Sequence, residues 1–537
     1  MSNRLFLVGL PGSGKSTVAP LVAARLGWPW VDLDREIEVR AGKTIPELFS
    51  HSEATFRQLE AAMLAELAER EPIIVATGGG VVLDAQNRTL MQRAGTMVAL
   101  QVTPVVAAER IAAQGNVRPL LQTDPLQRLR MLFQERAPFY AEAALAIDTN
   151  EITLEQVAQC VLAGLAAYGH LVADEHPTTI PVPLPQTPYS ITVGWGILGH
   201  LAEHIAALQL PPRLTIVTDT HVHELLLPGI VDHLQAAGMT VNLIIIPAGE
   251  QSKSLDELAG IYDALIDLRA ERSEAILAIG GGVVGDLAGF AAATYLRGVP
   301  IIHVPTTLLA QVDSAIGGKT GINHPQAKNA IGAFYQPRAV IIDPAALLSL
   351  DDRLIREGWG EIVKYAITLD ADLFTQLEAY GAALPMLPLA LLTPIIARCA
   401  RLKADIVSQD ERESDRRIVL NYGHTIGHAL EATAGYGTLL HGEAVFLGMA
   451  VEARIAERLG MIPPEIVARQ DALTAAIGAT MPAHLPDPAT ILAATRLDKK
   501  TQGGRIRWVL PTGIGTVTTR ADVPDALVLD ILTRWLA

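Results

Sequence analysis

Residues 9–17 read Gly-Leu-Pro-Gly-Ser-Gly-Lys-Ser-Thr, and residues 280–286 read Gly-Gly-Gly-Val-Val-Gly-Asp. Each follows a short apolar run, so each predicts a strand that ends in a glycine turn and feeds a helix. The two turns have incompatible designs. The first has the spacing Gly9-x4-Gly14-Lys15-Ser16 of a loop that grips phosphates, whereas the second has the glycines of a dinucleotide turn. Designs so different imply different folds and different chemistry, so the chain reads as two enzymes joined end to end.

Composition sets the outer limits. A length of 537 residues is too great for one core and suggests about three or four domains. Half the residues are hydrophobic and 18% are charged, which supports large buried cores rather than disorder. A formal net charge of −15 argues against general nucleic-acid binding, so an anionic substrate must be met by local lysines and arginines. Cys160 and Cys399 have no metal-type spacing, which suits a reducing cytoplasm without a disulfide framework. The apolar run 5–10 goes straight into the first glycine loop, unlike a signal peptide. The stretch 275–293 is broken by Asp286 and glycines, so a buried strand and turn is favoured over a membrane span. The expectation is a soluble cytoplasmic protein acting on small molecules, with no nucleic-acid or membrane partner.

Prolines at 177, 181, 183, 185 and 188 mark the clearest boundary, because such a segment cannot continue a helix and prefers an extended form. Before it, strands over 4–8, 73–77 and 97–102 alternate with helical patterns over 53–70 and 126–136, an α/β three-layer layout with a mostly parallel sheet. After it, strands are expected at 214–218, 241–246, 275–279, 301–304 and 339–342. Beyond about residue 345, alanine-rich helical patterns dominate until 505–510. The division is therefore 1–170, a proline-rich linker 171–188, an α/β domain 189–345 and a mainly helical domain 346–537. Residues 74–82 resemble 277–284, which reads as one strand-to-turn solution used twice and not as a repeat.

In the first glycine loop, Gly12 and Gly14 let backbone N–H groups face a β-phosphate, Lys15 reaches the β/γ oxygens, and Ser16, beside Thr17, can ligate Mg²⁺. An ordinary strand–turn–helix loop is the bland alternative, and a full match in this context makes it the weaker one. The phosphoryl acceptor must be read elsewhere. Asp32 and Asp34 follow a second strand, where one can hold Mg²⁺ through water and the other can grip a hydroxyl. Arg57, Arg118 and Arg136 lie on separate segments, and Gly78-Gly79-Gly80 closes a strand. Three guanidinium groups suit a carboxylate acceptor and a charged phosphoryl group, although each arginine alone reads as a solvated surface residue.

Together these motifs closely resemble shikimate kinase over roughly residues 1–168. The resemblance implies that Asp34, Arg57, Gly79, Gly80 and Arg136 hold shikimate, that Asp32 and Ser16 form the Mg²⁺ side, and that Arg118 is a lid residue over ATP. One departure stands out. The family usually has Gly before the Glu of Glu-x-x-Phe-Arg, and Ser52 precedes Glu53 here. Serine fits that turn unless a positive φ is required.

The second glycine turn, with Gly281, Gly282, Val283 and Asp286, allows close approach to a pyrophosphate but is a weak signal alone, since such runs often serve packing. Asp219 after another strand is a candidate for a ribose hydroxyl. Glu250, Lys253, Thr306 and Thr307 add polar groups at other strand ends. The most specific segment is 417–431, Arg-Ile-Val-Leu-Asn-Tyr-Gly-His-Thr-Ile-Gly-His-Ala-Leu-Glu. On a helix, Asn421, His424 and His428 share one stripe, and His424 with His428 could bind a metal as an i,i+4 pair. Glu361 and His441 offer another arrangement, two histidines and a carboxylate, which leaves a position open for substrate oxygens. A lone buried histidine is usually structural, but four such groups in these segments are not readily explained that way. Around them stand Arg297, Lys319, Lys328, Lys364, Lys403, Arg417, Lys499 and Lys500. Two such cations about 6 Å apart would repel by roughly 3 kcal/mol at an effective dielectric near 20, which makes sense where a polyanion fills the cluster. Scattered surface lysines are the alternative, one that stays open for Lys403 and Lys499 individually.

These segments closely resemble 3-dehydroquinate synthase over roughly residues 180–537. By that resemblance Glu361, His424 and His441 are the metal ligands, for Zn²⁺ or alternatively Co²⁺, and His428, no longer a ligand, either supports them from behind or stands on the phosphate side. Arg297, Lys328, Asn329 and one of Lys499 or Lys500 would serve the phosphate side. Lys319, Lys364, Lys403, Arg417 and Asn421 would hold the sugar-acid carboxylate and hydroxyls, and Asp313 matches the site pattern. Lys319 and Lys328 are also expected on the NAD⁺ side. The implied substrate is 3-deoxy-arabino-heptulosonate 7-phosphate. Oxidation at C5, β-elimination of phosphate, return of the hydride, ring opening and an aldol closure give 3-dehydroquinate, with NAD⁺ unchanged overall. A homodimer through this half is implied, with Arg297 approaching the neighbouring subunit's site.

The competing reading of the second half is a metal- and NAD-dependent polyol dehydrogenase, which acts on neutral polyols and has no need of the cations. For the first half it is another P-loop kinase of small hydroxylated metabolites. A regulatory or scaffolding half would predict lost site residues, and both sets look intact.

Overall fold

Five short runs, each running parallel to its neighbours, build the first sheet: β1 Arg4–Val8, β2 Trp30–Asp32, β3 Ile73–Ala76, β4 Thr96–Gln101 and β5 Leu145–Asp148, in the order β2-β3-β1-β4-β5. The computed structural model describes residues 3–113, 124–167, 169, 174, 176–325, 327–435, 438–479, 485–496, 501–502 and 505–536. Leu5 through Val8 are all fully buried, as a central parallel strand covered on both faces requires. The helix Lys15–Leu26 follows β1 through Gly14 at φ 93 and stops at Gly27 at φ 70, left-handed positions that glycine adopts without a Cβ clash. Leu7 pairs with Ala76 and Asp32 pairs with Ala76, so the phosphate loop, Asp32 and the Gly78–Gly80 turn leave the sheet at the same edge. The helices expected at 53–70 and 126–136 are Glu53–Ala68 and Pro125–Tyr140. Strand β5, only four residues long and half exposed, carries too short an apolar run to be legible.

The chain divides into two compact units, built in the main on residues 1–174 and 175–537. The second holds a seven-stranded sheet of β6 Thr178–Val182, β7 Tyr189–Val193, β8 Arg213–Asp219, β9 Thr240–Ile246, β10 Ala275–Gly280, β11 Ile301–Pro305 and β14 Ala339–Ile342, ordered β6-β7-β14-β11-β10-β8-β9. Two further strands, β12 Lys319–His324 and β13 Ala327–Phe334, form a separate antiparallel hairpin.

Here the proline-rich segment corrects the reading of 171–188 as linker. Residues 178–182 are β6, the edge strand, antiparallel to β7, with Ile180 and Val182 buried. An edge position tolerates Pro181 because a strand's outer side needs no N–H donor. β7, β14, β11, β10, β8 and β9 are parallel, and the chain reverses its direction of travel between β8 and β10. In an open α/β sheet the carboxyl ends at such a switch point form the ligand crevice. Asp219 ends β8 and Gly280 ends β10.

After the turn Pro344–Ser349 come the helices Asp352–Leu369, Ala371–Tyr380, Leu389–Gln409, His424–Ala434, His441–Arg458 and Pro464–Ile477. A hairpin of Trp508–Gly513 and Thr516–Arg520 and the helix Asp525–Leu536 follow near the end of the chain. The segments expected as separate domains, 189–345 and 346–537, share one apolar cluster: Ile191, Val340 and Ile342 belong with Trp359, Tyr365 and Phe374. The helices carrying the histidines approach their neighbours through glycines. A Cβ on Gly442 would lie 1.9 Å from the Glu357 carbonyl oxygen, and one on Gly448 would lie 1.9 Å from that of Gly423. No helix among the described residues is long and apolar enough to cross a membrane.

Candidate active sites

In the first unit, Gly9, Gly12 and Gly14 all have positive φ, and the loop they form wraps the Lys15 ammonium. Lys15 Nζ donates to the carbonyls of Gly9 at 2.8 Å and Leu10 at 3.0 Å. Asp32 Oδ1 accepts from Arg35 N–H at 3.2 Å and so caps the helix Leu33–Ala41, which fixes Asp34 in its first turn. The Asp34 carboxylate packs against Gly78, where a Cβ would meet Oδ1 at 2.5 Å. Arg57 lies against Gly80 in the same way, and Arg136 Nη1 donates to the Gly79 carbonyl at 2.7 Å. The three glycines thus set Asp34, Arg57 and Arg136 around one turn. Arg118 lies outside the described residues.

Two partners here were missed in the sequence. Glu60, almost fully buried, accepts from Arg57 Nη1 at 2.7 Å; burial raises its carboxyl pKa and Arg57 pulls against that rise. Tyr140 O–H donates to the Gly79 carbonyl at 3.0 Å, and its burial pushes its pKa up to about 12. Both sit on the buried stripe of a helix otherwise read for periodicity, Glu60 at i+3 from Arg57 and Tyr140 at i+4 from Arg136. Ser52 is in extended backbone at φ −169, and its Oγ accepts from Thr55 N–H at 3.3 Å. The serine replacing the family's glycine is therefore unstrained.

In the second unit the polar groups gather into three neighbouring clusters. The first lies at the switch point. Asp219 Oδ1 accepts from Val222 N–H at 2.9 Å, and Gly281 leaves room beside Thr307 that a Cβ, 2.9 Å from Cγ2, would fill. The neighbouring Gly282 and Val283 open the helix Gly282–Thr294, and Thr306 N–H donates to the Gly280 carbonyl at 3.0 Å. Lys253 Nζ, nearly fully buried, donates to Asp286 Oδ2 at 2.7 Å and Asn329 Oδ1 at 2.5 Å. Glu250 Oε1 accepts from Asn323 Nδ2 at 2.8 Å.

The second cluster is cationic. Lys403 Nζ donates to Asp313 Oδ1 at 2.6 Å, as does Tyr365 O–H at 2.6 Å. Burial draws the Lys403 pKa down to about 8, despite the opposing pull of Asp313. Burial opposes ionisation of Asp313, yet Lys403 and Lys364 together hold its carboxyl well below the ordinary range. Arg417 is buried and donates through Nη1 to the Glu411 carbonyl at 3.0 Å. Glu413 pairs with Lys319 and accepts from Asn421 Nδ2 at 3.4 Å. Asn421 corrects the single-stripe expectation: it ends the short 3-10 turn Arg416–Asn421, and Gly423 at φ 79 separates it from the helix bearing His424 and His428. Glycine in the left-handed region stops one helix and starts the next, which an unbroken 3.6-residue count does not register.

The third cluster is the candidate metal centre. Glu361, fully buried on the helix Asp352–Leu369, lies with Oε1 at 3.4 Å from His424 Nε2 and 3.6 Å from His441 Nε2. The Lys364 ammonium also touches this carboxylate. Apart from this ammonium, neither Glu361 oxygen has a hydrogen-bond partner among the described residues, and the Oε1 side is left to the two imidazoles. His424 Nδ1 faces the Tyr422 carbonyl at 3.1 Å, so as a donor there it leaves the Nε2 lone pair toward Glu361. Ligand atoms of Glu361, His424 and His441 all lie within 4.8 Å of one another. Two imidazoles and a buried carboxylate fit a divalent cation with a coordination position to spare. His428, Glu431 and His441 form a second grouping of the same span, in which Glu431 pairs with Lys328 at 2.9 Å, as Glu361 pairs with Lys364, and approaches His441 Nδ1 at 3.4 Å. Burial disfavours the charged His441 ring, and Glu361 and Glu431 outweigh it to push its pKa up to about 10. Glu431, missed in the sequence, lies seven residues after His424 on the same helix face.

Arg297 stands apart from these clusters, exposed, at φ 65, with no partner among the described residues. Lys499 and Lys500 lie outside those residues.

The fold and sites define a class: a phosphate-loop transferase unit followed by an α/β unit with a dinucleotide edge and a His₂–carboxylate centre. Residues 11–166 match the shikimate kinase family, 243–357 match the 3-dehydroquinate synthase N-terminal family and 358–501 its C-terminal family. The chain is 44% identical over 356 residues to 3-dehydroquinate synthase of Synechocystis sp., spanning 65% of this chain and 98% of that relative. Among solved structures it is similar to ValA, a 2-epi-5-epi-valiolone synthase of Streptomyces hygroscopicus with NAD⁺ and Zn²⁺ bound: 30% identity, TM-score 0.62, covering 66% of this chain and 98% of that one. It is also similar to a 2-deoxy-scyllo-inosose synthase complexed with carbaglucose-6-phosphate, NAD⁺ and Co²⁺, at 28% identity and TM-score 0.61, covering 66% of this chain and 100% of that one. The chain belongs to the 3-dehydroquinate synthase family and carries a shikimate kinase domain ahead of it. It is a bifunctional shikimate-pathway enzyme, a kinase and a lyase in one chain.

Proposed function

We propose that the first unit transfers the γ-phosphoryl group of ATP to a shikimate hydroxyl and that the second converts 3-deoxy-arabino-heptulosonate 7-phosphate to 3-dehydroquinate and phosphate. The observation that carries the first half is the placement of Asp34, Arg57 and Arg136 around Gly78–Gly80, one strand from the phosphate loop. Gly12, Gly14, Lys15, Ser16 and Thr17 hold the nucleotide, with Ser16 and Asp32 on the Mg²⁺ side. Arg57 and Arg136 bind the acceptor's carboxylate, and Asp34 accepts the proton of the attacked hydroxyl.

The second half rests on the buried Glu361 carboxylate that lies between His424 and His441. These three residues would hold a divalent metal, Zn²⁺ or Co²⁺, while the switch-point loops with Asp219, Glu250, Lys253, Gly281, Asp286 and Thr307 would hold NAD⁺. When bound, the metal and NAD⁺ supply polarisation of a substrate hydroxyl and a reversible hydride acceptor. Arg417, Lys319 and Asn421 orient the sugar-acid carboxylate, with Lys364 and Lys403 on its hydroxyls. Lys328, Asn329 and His428 serve the phosphate side. This concentration of cations favours a carboxylated, phosphorylated substrate over the neutral polyol of a dehydrogenase. A homodimer through the second unit, with Arg297 reaching the neighbouring copy, and a cytoplasmic location complete the proposal.

Paired variants test it. Lys15→Ala is expected to abolish ATP-dependent phosphorylation of shikimate and to leave NAD-dependent phosphate release intact; His441→Ala is expected to do the reverse and to lose about one bound zinc-like ion per chain. A folded variant that loses both activities would overturn the assignment of two independent sites.

A further inference from the structure

His424 and His441 are each the first residue of a helix, His424–Ala434 and His441–Arg458. A helix N-terminus carries unpaired N–H groups and about half a positive charge, so it repels a cation. Two such termini meet at the centre where the buried Glu361 carboxylate faces both imidazoles. Each terminus faces a buried glutamate from a different helix. Glu452, fully buried, accepts from Gly423 N–H at 2.6 Å and Ile426 N–H at 3.3 Å, at the start of the His424 helix. Glu357, 9% exposed, accepts from His441 N–H at 3.1 Å at the start of the other helix.

We infer that Glu452 and Glu357 are positioning residues that neutralise the two helix N-termini carrying His424 and His441 and so permit a divalent cation to bind there. The inference rests on the proposed metal reading of Glu361, His424 and His441. Surface capping residues do not require this arrangement. Glu443, in the first turn of the His441 helix, accepts from Leu440 N–H at 3.0 Å but pairs outward with Arg353 at 2.7 Å. It satisfies a donor at the same terminus without adding net negative charge to the centre. Glu452 and Glu357 satisfy donors from buried positions at the two ligand-bearing termini. Their mutual positions are also fixed, because Glu452 shares a helix with His441 while capping the helix of His424, and Glu357 shares a helix with Glu361 while capping that of His441. Each of the three ligand-bearing helices is thereby tied to another by a carboxylate.

The test measures Zn²⁺ affinity of the full chain by competition with a chromogenic chelator, for Glu452→Gln, Glu357→Gln, Glu443→Gln and His441→Ala. Glutamine keeps the size and a carbonyl acceptor and removes the charge. Glu452→Gln and Glu357→Gln are each expected to weaken Zn²⁺ binding roughly 10–100-fold, the range for groups that support ligands from behind. Glu443→Gln is expected to stay within about twofold. Thermal unfolding of the metal-free chains separates fold from affinity. Equal destabilisation with unchanged Zn²⁺ affinity in Glu452→Gln and Glu357→Gln would show helix capping alone and overturn the inference, as would an equal affinity loss in Glu443→Gln. If His441→Ala retains its zinc, the metal reading itself has failed, an outcome distinct from a failure of the two glutamates.

Discussion

Gly442 and Glu357 meet backbone to backbone: a Cβ on residue 442 would lie 1.9 Å from the Glu357 carbonyl oxygen. On one side of this contact the helix Asp352–Leu369 presents Glu361, and on the other the helix beginning at His441 presents its imidazole. Gly442→Ala must push the helices apart by the width of a methyl group. We expect loss of bound metal and a fall of at least about 100-fold in phosphate release, since a misplacement of about 1 Å costs that much. Shikimate phosphorylation by the same sample should be unchanged. A Gly442→Ala chain with full metal content would show that the close contact does not set the ligand spacing.

The glycine loops and the strand ends were legible because each depends on local chemistry: phosphate geometry at 9–17 and a switch from apolar strand to glycine at 280–286. Local chemistry left His428 open beside His424, and it was the family resemblance that grouped Glu361, His424 and His441, whose ligand atoms lie within 4.8 Å of one another. Glu60, Glu357, Glu431 and Glu452 were not legible, because a glutamate's role depends on which helix lies opposite, and that is set by packing. Residues 178–182 failed for a related reason. Proline chemistry excludes helix, but whether an extended segment pairs is decided by the presence of β7 beside it. Asn421 was misplaced because periodicity was carried across Gly423.

Ser52 offers a direct test of the one departure from the kinase family. Its extended backbone and its Oγ bond to Thr55 N–H make it a helix cap. Ser52→Ala should therefore lower the stability of the first unit by about 1 kcal/mol, and Ser52→Gly by only a few tenths. Neither should alter kcat for shikimate by more than about twofold, since no strained φ is relieved. Chemical unfolding followed by kinase activity reads both. A large gain in activity in Ser52→Gly would mean that the turn needs glycine after all.

Glu60 holds Arg57 through a charge-assisted bond at 2.7 Å. Its partner is more exposed, so removing the carboxylate frees a guanidinium that the site needs in one place. Glu60→Gln is expected to raise the KM for shikimate roughly 10–100-fold, corresponding to about 1.5–3 kcal/mol for a hydrogen bond to a charged group. The KM for ATP should hold, because Arg57 lies against Gly80 on the acceptor side while the loop around Lys15 holds the nucleotide. Equal increases in both KM values would point to general collapse of the unit instead.

Lys403 gives the synthase reaction a predicted alkaline limit. Its pKa of about 8 reflects burial first and then the opposing effects of Asp313 and the neighbouring Arg417 and Lys364. In the unfolded chain a lysine titrates near 10.4. A base with a lowered folded pKa costs stability fully below about pH 8, and the cost disappears between there and about 10.4. Stability from this group therefore rises with pH, while attraction for an anionic substrate falls as the ammonium loses its proton. We expect kcat/KM for phosphate release to fall above an apparent pKa near 8, the value for the free enzyme. Asp313→Asn removes a carboxylate that raises the Lys403 pKa, so the limb should move to lower pH. Lys403→Arg, which cannot deprotonate in this range, should remove the limb whatever its effect on rate. A limb that persists unchanged in Lys403→Arg would assign it to another group.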